Sequence, residues 1–339
     1  MKGQRKKKRI RKKSLHAALL LALAFACGCA GKNRASEMGE AETVDSMSRE
    51  ETENGDSMSR EETESEEKDT SREEAEAVSG KKTVRPEVLH FVDVYGQKYK
   101  VDIDPKVKKH DYKLDAFLRD GQRMSYIGDE RYTYRLGIDV SYHQGYIDWQ
   151  KVKADGYDFA ILRIGYRGYG QEGRLCRDTR FKEYIQNAQN AGLDVGVYFF
   201  SQAVNEAEAE EEARLVLDSL QGCRLQLPVV YDPESILDDA ARTDNVTGEQ
   251  FTKNTKVFCQ MVEDAGYQPM IYSNMLWEAF QFDLKKLAEY PIWYADYEPL
   301  PQTPYHFSFW QYDNEGVVDG IEGNVDLDIQ LIQVPAKEK

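Results

Sequence analysis

Residues 227–234 read LPVVYDPE, an apolar run that ends in two carboxylates, Asp232 and Glu234. In a β-strand, residues i and i+2 point to the same face, so both carboxyls should project together from the end of a buried strand. Two neighbouring carboxyls repel each other, and one of them tends to keep its proton at neutral pH. Many glycoside hydrolases use a protonated acid beside an ionised partner. Asp-Pro also occurs in ordinary turns, however.

This stretch belongs to an alternation of strand-like and helix-like runs that begins near residue 136. The predicted strands are 136–141, 159–166, 195–202, 227–232, 269–273, 291–297, 307–312 and 325–331. The predicted helices are 147–155, 179–191, 205–220, 247–265 and 274–289, with Asn205 as an N-cap and Thr247 opening a capping box. Because helices are missing between the last strands, the pattern predicts an α/β fold, an incomplete (β/α) barrel. The active site of such a barrel lies at the carboxyl ends of its strands.

Acidic, polar and aromatic side chains recur at those predicted strand ends. They are Asp139, Arg163, Tyr198, Phe200, Asp232, Glu234, Tyr272, Trp293, Tyr294, Asp296, Tyr297, Trp310, Gln311, Asp326 and Asp328. A sugar ring has apolar faces and a rim of hydroxyls, so a sugar-binding cleft needs aromatic platforms beside fixed polar groups. The distribution therefore indicates a carbohydrate site at the mouth of the barrel.

The motifs on these strands resemble those of glycoside hydrolase family 25, the lysozymes (N-acetylmuramidases) that cut bacterial cell-wall glycan. In the order of the family they are GIDVS at 137–141, HQG at 143–145, IDW at 147–149, VYFF at 197–200, Asp232-x-Glu234, IWYA at 292–295, WQY at 310–312 and GIEGNVDLD at 320–328. The resemblance covers about residues 136–332 and implies a distorted barrel of the (βα)5(β)3 kind. It also implies cleavage of the β-1,4 bond between N-acetylmuramic acid and N-acetylglucosamine in peptidoglycan.

The resemblance assigns roles to individual side chains. Glu234 would protonate the leaving oxygen and then activate water, and the other active-site acids would be Asp232, Asp139 and Asp326. The family is understood to use the N-acetyl group of the substrate as nucleophile, so Asp232 would orient that group. The candidates for substrate contact are Tyr198, Phe200, Tyr272, Tyr294, Asp296, Trp310 and Gln311. Asp296 departs from the family, which often has an uncharged residue there, and neither a metal nor a cofactor is expected.

The N-terminal segment has the pattern of an export signal. The first 34 residues contain eleven Lys or Arg and no acid, and the apolar run 17–29 is shorter than a typical transmembrane helix. Cys27 or Cys29 resembles the lipidated first residue of a bacterial lipoprotein, and ordinary cleavage or an uncleaved anchor are the alternatives. We therefore expect a protein of the cell surface or the extracellular medium, attached to a membrane only through this segment.

An acidic linker follows the signal. Residues 35–79 contain seventeen Asp or Glu against four Lys or Arg, and an eleven-residue repeat starts at Asp45 and again at Asp56. So few apolar groups cannot offset the entropy lost on ordering, which predicts disorder. A β-hairpin is predicted around Gly96 in the segment that comes next. The predicted boundaries are 1–31 for the signal, 32–83 for the linker, 84–134 for a small β-rich lead-in module and 135–334 for the catalytic barrel.

Other functions fit the sequence less well. A chitinase-like N-acetylhexosaminidase would show a longer acidic strand motif, and a non-catalytic cell-wall-binding lipoprotein would not need to retain every acidic position. A metal-dependent barrel enzyme would need His beside the carboxylates. The formal net charge of −15 disfavours nucleic-acid binding. Cys176, Cys223 and Cys259 lack metal-ligand spacing and are expected to be buried free thiols, in a protein expected to be a monomer.

Overall fold

The computed structural model describes residues 87–335, with the exception of residues 222 and 238. The predicted export signal, the lipidation candidates Cys27 and Cys29, and the acidic repeat lie outside the described residues. Across the described part of the chain, no helix combines the length and the apolar character that a membrane span requires.

A closed ring of eight strands forms the centre of the fold. The strands of the described residues are β1 Val88–Val92, β2 Lys98–Asp102, β3 Phe117–Asp120, β4 Arg123–Tyr126, β5 Tyr132–Val140, β6 Phe159–Arg167, β7 Leu175–Arg177, β8 Asp194–Ser201, β9 Val229–Pro233, β10 Pro269–Asn274, β11 Ile292–Ala295, β12 Phe309–Gly316 and β13 Val325–Gln333. The ring order is β5-β13-β12-β11-β10-β9-β8-β6, and β6 pairs with β5 to close it. All neighbours are parallel except β13, which is antiparallel to both β12 and β5. The expected barrel-type α/β fold is thereby confirmed.

Five helices lie between the first six barrel strands. They are α1 Trp149–Ala154, α2 Phe181–Asn190, α3 Glu206–Ser219, α4 Gly248–Asp264 and α5 Met275–Phe280. The Asn205 side chain accepts the Glu208 N–H at the start of α3, as predicted, and Thr247 caps α4 by accepting the Gln250 N–H. The reciprocal half of the predicted capping box is not formed there, because the Gln250 side-chain amide donates to Asn254 instead.

Helix α5 is shorter than the sequence predicts. The expected helix 274–289 ends at Phe280, where the Trp277 carbonyl accepts the N–H groups of both Gln281 and Phe282. The Asp283 N–H then donates to the hydroxyl of Thr252 on α4, at 3.0 Å. This contact diverts the backbone into turns, which is a tertiary effect that helix propensity does not contain.

Alternate residues of each barrel strand point inward, as the period of a β-strand requires. The interior cluster consists of Phe159, Ile161, Tyr198, Leu227, Val230, Met270, Tyr272, Trp293, Ala295 and Phe309. The residues between them, such as Tyr231 and Tyr294, belong to a larger cluster under the helices and the lead-in segment. The barrel interior is therefore a packed core, and only its mouth is available for chemistry.

Gly137 on β5 makes room for the fully buried ring of Phe159, since a Cβ at position 137 would lie 2.1 Å from that ring. We expect Gly137→Ala to lower the free energy of unfolding by about 1–3 kcal/mol, because the Phe159 ring already occupies the space that the added methyl group needs. Urea denaturation measures this loss. Gly170→Ala is the matched control, since a Cβ there meets no atom within 4 Å. Equal stabilities of the two variants would contradict the packing argument.

The lead-in segment consists of two hairpins that belong to one compact unit with the barrel. Strands β1 and β2 pair around Gly96, as predicted. The sequence does not predict the second hairpin, β3–β4, although a Gly at the first position of its two-residue turn, Gly121-Gln122, is a hairpin signal. It packs on the outer face of the barrel, where the rings of Phe117 and Trp310 meet edge to face at 5.2 Å.

Candidate active site

The four predicted acids converge at the carboxyl ends of the parallel strands. Asp139, next to the end of β5, lies directly opposite Asp326 on β13. Asp232 lies on β9 beside Phe200 of β8, and Glu234 follows the end of β9. Asp139 and Asp232 are buried, whereas Glu234 and Asp326 are partly exposed, as groups that meet a ligand must be.

Asp328 joins this group as a fifth carboxyl, which the sequence alone did not assign to the site. It is fully buried, its Oδ1 accepts the indole N–H of Trp293 at 2.8 Å, and Asp139 is one of the groups that raise its pKa. The signal was present in the sequence, because Asp326 and Asp328 are two residues apart on one strand and therefore share a face. We name these five groups (Asp139, Asp232, Glu234, Asp326 and Asp328) the carboxyl cluster.

Burial raises the pKa of every member of the carboxyl cluster. The pKa of Glu234 rises to about 7 because its carboxyl is desolvated, although its interaction with Asp232 opposes the shift. The pKa of Asp139 also rises to about 7, through desolvation and then through repulsion by Glu234. Desolvation and neighbouring acids place the pKa values of Asp232, Asp326 and Asp328 well above the ordinary range. At neutral pH the cluster therefore retains protons that it can donate.

Gln311 on β12 fixes the orientation of Asp139. Its Oε1 accepts two phenol hydroxyls, from Tyr272 at 3.0 Å and from Tyr297 at 2.9 Å. With both donors on the oxygen, the amide NH2 must point the other way, and Nε2 donates to Asp139 Oδ2 at 2.7 Å. The amide is thus an oriented donor toward one acid of the cluster. Tyr297 was counted among the strand-end residues but was not assigned to the site.

The backbone of Glu234 is held by two buried side chains. Gln202 Nε2 donates to the Glu234 carbonyl oxygen at 2.7 Å, and Gln202 Oε1 accepts the Thr243 hydroxyl at 2.9 Å. Both side chains are almost fully buried. The loop after β9 is thereby attached to the end of β8, which limits how far the Glu234 carboxyl can move.

Arg163 supplies a positive charge to the acidic mouth. Its guanidinium is buried, lies 2.9 Å from Asp178, and is flanked by the rings of Tyr142 and Tyr166 at 4.9 and 5.0 Å. The charge of Arg163 acts to lower the pKa of Asp232, against the larger effects of desolvation and acidic neighbours. The ion pair with Asp178 therefore belongs to the electrostatics of the site as well as to the barrel wall.

The model of one protein family, glycosyl hydrolases family 25, matches residues 138–321. This span includes the acids on β5 and β9 and more than half of the chain. The chain belongs to glycosyl hydrolase family 25.

Relatives support this membership in the family. The protein is 26% identical over 195 residues to the autolytic lysozyme of Clostridium acetobutylicum, and the alignment covers 57% of this chain and 54% of that protein. The chain thus spans about half the length of that relative. It is also 32% identical over 206 residues to the uncharacterised protein YegX of Escherichia coli, covering 57% of this chain and 68% of YegX.

A solved structure shares the fold of this family 25 barrel. It is the modular autolysin LytC of Streptococcus pneumoniae in complex with a synthetic peptidoglycan ligand. The TM-score is 0.53 at 23% identity, and the match covers 71% of this chain and 56% of LytC. The likeness independently supports the barrel-type fold.

Tyr198, Phe200 and Tyr272 lie on the inward side of the strands that carry the site. Tyr198 and Tyr272 belong to the interior cluster, and Phe200 is beside Asp232. The pKa of Tyr198 and that of Tyr272 are raised well above the usual value by desolvation, with Asp139 and Asp232 adding to the shift. Both hydroxyls therefore stay protonated, and that of Tyr272 donates to Gln311 Oε1.

Tyr294, Trp310 and Asp296 are not brought to the carboxyl cluster. Tyr294 and Trp310 follow the inward-facing Trp293 and Phe309 by one residue, so the alternation of the strand turns them outward. The Asp296 carboxylate instead accepts hydrogen bonds within its own loop. The structure thus separates these three residues from the other substrate-contact candidates.

Further reactive groups are His143 and the cysteines of the described residues. His143 stacks on Tyr142 at 4.0 Å, and desolvation together with the Arg163 charge lowers its pKa to about 4, so it is neutral at physiological pH. Cys259 is a buried thiol as expected, but Cys176 and Cys223 are partly exposed. Within the described residues, no group of three or more His, Cys, Asp or Glu is arranged to hold a metal ion.

Proposed function

We propose that this family 25 protein is a lysozyme that cleaves the β-1,4 bond between N-acetylmuramic acid and N-acetylglucosamine in peptidoglycan. The observation that carries the proposal is Glu234, a partly exposed carboxyl at the barrel mouth whose burial raises its pKa to about 7. Such an acid is protonated in a large fraction of molecules at neutral pH and still meets the cleft. This is the requirement for protonating a glycosidic oxygen.

In this mechanism Glu234 donates its proton to the leaving oxygen as the glycosidic bond breaks. The N-acetyl group of the substrate attacks the anomeric carbon, and Asp232 orients that group. Asp232 is well placed for this role, since it is almost fully buried and its Oδ1 has no hydrogen-bond partner among the described residues. Glu234, now ionised, then removes a proton from the water that opens the intermediate. Asp139, oriented by Gln311 and directly opposite Asp326, helps to hold the array of acids in place.

Two relatives support peptidoglycan as the substrate. The Clostridium protein carries the name autolytic lysozyme, and LytC was solved with a synthetic peptidoglycan ligand. A wall-binding protein without turnover is a weaker alternative, because binding alone does not need an acid with a raised pKa. The retained carboxyl cluster therefore favours an enzyme over a binding protein.

Analysis of the glycan products tests the proposal. Purified peptidoglycan is digested with the protein, reduced with borohydride, and the reduced ends are identified by mass spectrometry. The expected product carries reduced N-acetylmuramic acid. Reduced N-acetylglucosamine would overturn the muramidase assignment, and binding without any new reducing ends would support the wall-binding alternative.

Activity is expected to decrease as the pH rises through 7. The general acid must be protonated, and raising the pH above the pKa of about 7 removes its proton. We expect kcat/KM to fall about tenfold for each pH unit well above that value, because the protonated fraction falls in proportion. Initial rates on a soluble glycan between pH 5 and 9, at constant ionic strength, measure this limb. Activity that increases through pH 7 would contradict the role of the cluster as a proton donor.

Two finer features belong to this proposal. The order of the elements from β5 to β13 supports a barrel of the (βα)5(β)3 kind, since helices follow the first five barrel strands and none lies between the last three described strands.

A substrate in the cell wall supports export through the N-terminal signal, with Cys27 or Cys29 as the lipid attachment point. Metabolic labelling with a fatty-acid analogue, compared between Cys27→Ala and Cys29→Ala, tests the attachment.

A further inference from the structure

We propose that strand β1 of the lead-in segment is part of the active-site scaffold, and that Gln302 and Asp296 connect it to Tyr297 in the wall of the site. The inference rests on the proposed function, and it gives the lead-in segment a part in catalysis that the sequence did not suggest. It also gives Asp296, which faces away from the cluster, a positioning role in place of a substrate contact.

The first connection joins the lead-in segment to the loop after β11. The side-chain amide of Gln302 pairs with the backbone of Val92 in both directions. The Val92 N–H donates to Gln302 Oε1 at 2.8 Å, and Gln302 Nε2 donates to the Val92 carbonyl at 2.9 Å. Such a reciprocal pair fixes both the position and the orientation of the amide, as a neighbouring strand would.

The second connection is made by the carboxylate of Asp296, which is almost fully buried. Its Oδ2 accepts the Tyr294 hydroxyl at 2.7 Å and the Gln302 N–H at 2.9 Å, and its Oδ1 accepts the Glu298 N–H at 3.1 Å. Its backbone carbonyl accepts the indole N–H of Trp310 at 2.7 Å. A buried carboxylate with several donors holds a loop firmly, because hydrogen bonds to a carboxylate are stronger than those between neutral groups.

The third connection joins this loop to the carboxyl cluster. Tyr297 is the next residue along the chain, and its hydroxyl donates to Gln311 Oε1, whose amide donates to Asp139. Tyr297 lies among the acids, since Asp326, Glu234 and Asp139 all act on its hydroxyl. A shift of the loop would withdraw one of the two phenols that orient the Gln311 amide. Val92, Gln302, Asp296, Tyr297 and Gln311 thus form a continuous path from the lead-in segment to Asp139, which we name the clamp.

A double-mutant cycle in the full-length protein tests whether Gln302 acts through Tyr297. We expect Gln302→Ala and Tyr297→Phe each to lower kcat about tenfold with little change in KM, because both loosen the same oriented amide. The kcat of the double variant should be no lower than that of the more impaired single variant, since the effects of substitutions in one network are not additive. Independent losses that multiply to about a hundredfold would overturn the proposal, as would a Gln302→Ala enzyme with unchanged kcat.

Glu298→Gln is the matched control, because Glu298 lies in the same loop but outside the clamp, and its contact with Asp296 is made by its backbone N–H, which the substitution keeps. Its kcat should equal that of the parent. Melting temperatures of all variants identify any general loss of folding, and a fall in kcat that simply follows the melting temperature would indicate a merely structural role and overturn the proposal.

A second readout does not depend on turnover. The Gln311 donor favours the ionised form of Asp139, so loosening it should shift the carboxyl titration of Asp139 to higher pH in the Gln302→Ala protein. Carboxyl ¹³C NMR, with Asp139 assigned by Asp139→Asn, measures this shift, and an unchanged titration would overturn the clamp. If the parent protein failed to cleave peptidoglycan, the proposed function would fail, while this titration would still decide the clamp.

Discussion

Glu234→Gln is expected to abolish the release of reducing ends from purified peptidoglycan. General acid catalysis contributes roughly 10²- to 10⁴-fold to a rate, and the amide cannot supply the proton. The substitution keeps the volume of the side chain and removes an acid whose ionisation burial disfavours, so the melting temperature should not fall. The Gln202 hydrogen bond to the backbone of residue 234 is also retained, because it does not involve the side chain.

Glu263→Gln is the control for that experiment, since Glu263 is an exposed residue in the last turn of α4, which leads into the amino end of β10, opposite the mouth of the barrel. It should retain the full activity of the parent. Substantial turnover by Glu234→Gln would show that another member of the carboxyl cluster supplies the proton. A lower melting temperature would show that the carboxyl has a structural role instead.

Arg163→Met is expected to produce the largest loss of stability. The side chains of Arg163 and Asp178 are buried to within 1%, so removing the arginine leaves a carboxylate with no cation inside the protein. Breaking a buried ion pair in this way costs about 3–5 kcal/mol of the free energy of unfolding. Asp178 also accepts the N–H groups of Tyr142 and Arg180, so it cannot simply turn toward solvent.

The double variant Arg163→Met/Asp178→Asn separates the buried charge from other effects. A neutral amide has no need of the cation, so the double variant should be more stable than Arg163→Met alone in urea denaturation. Arg214→Met, which breaks an exposed pair with Glu210 on α3, should cost only about 0.5 kcal/mol. If Arg163→Met were no more harmful than Arg214→Met, the ion pair would have no structural importance.

The barrel could be predicted from the sequence because the patterns that indicate its strands and helices lie within short segments of the chain. The positions of Asp232 and Asp139, each one residue before the end of an apolar strand, can be inferred directly from residue order. Alternation also puts Asp326 and Asp328 on one face of a strand, but only Asp326 matches a family position, so the resemblance assigns only Asp326 to the site. Trp310 belongs to a family motif, yet alternation turns it to the face opposite Gln311.

Other features could not have been found in this way. The pairing of Gln302 with Val92 joins positions 210 residues apart, and neither residue type marks such a contact in advance. Tyr297 comes close to the acids of other strands only when the ring of strands has closed. No single segment of the sequence contains that information. The short length of α5 follows likewise from the Thr252 contact to Asp283, not from its own sequence.

The pairing of β13 with β5 has a consequence for when the enzyme acquires its activity. Asp139 belongs to the first strand of the ring and Asp326 to the last, and they become neighbours only when β13 has joined. A chain still emerging from the ribosome, or still threading unfolded through a membrane, holds the two acids on separate, unjoined segments. Synthesis through β13 must therefore precede the proposed catalysis, and a cell that exports this protein unfolded keeps the hydrolase inert until it has reached the far side.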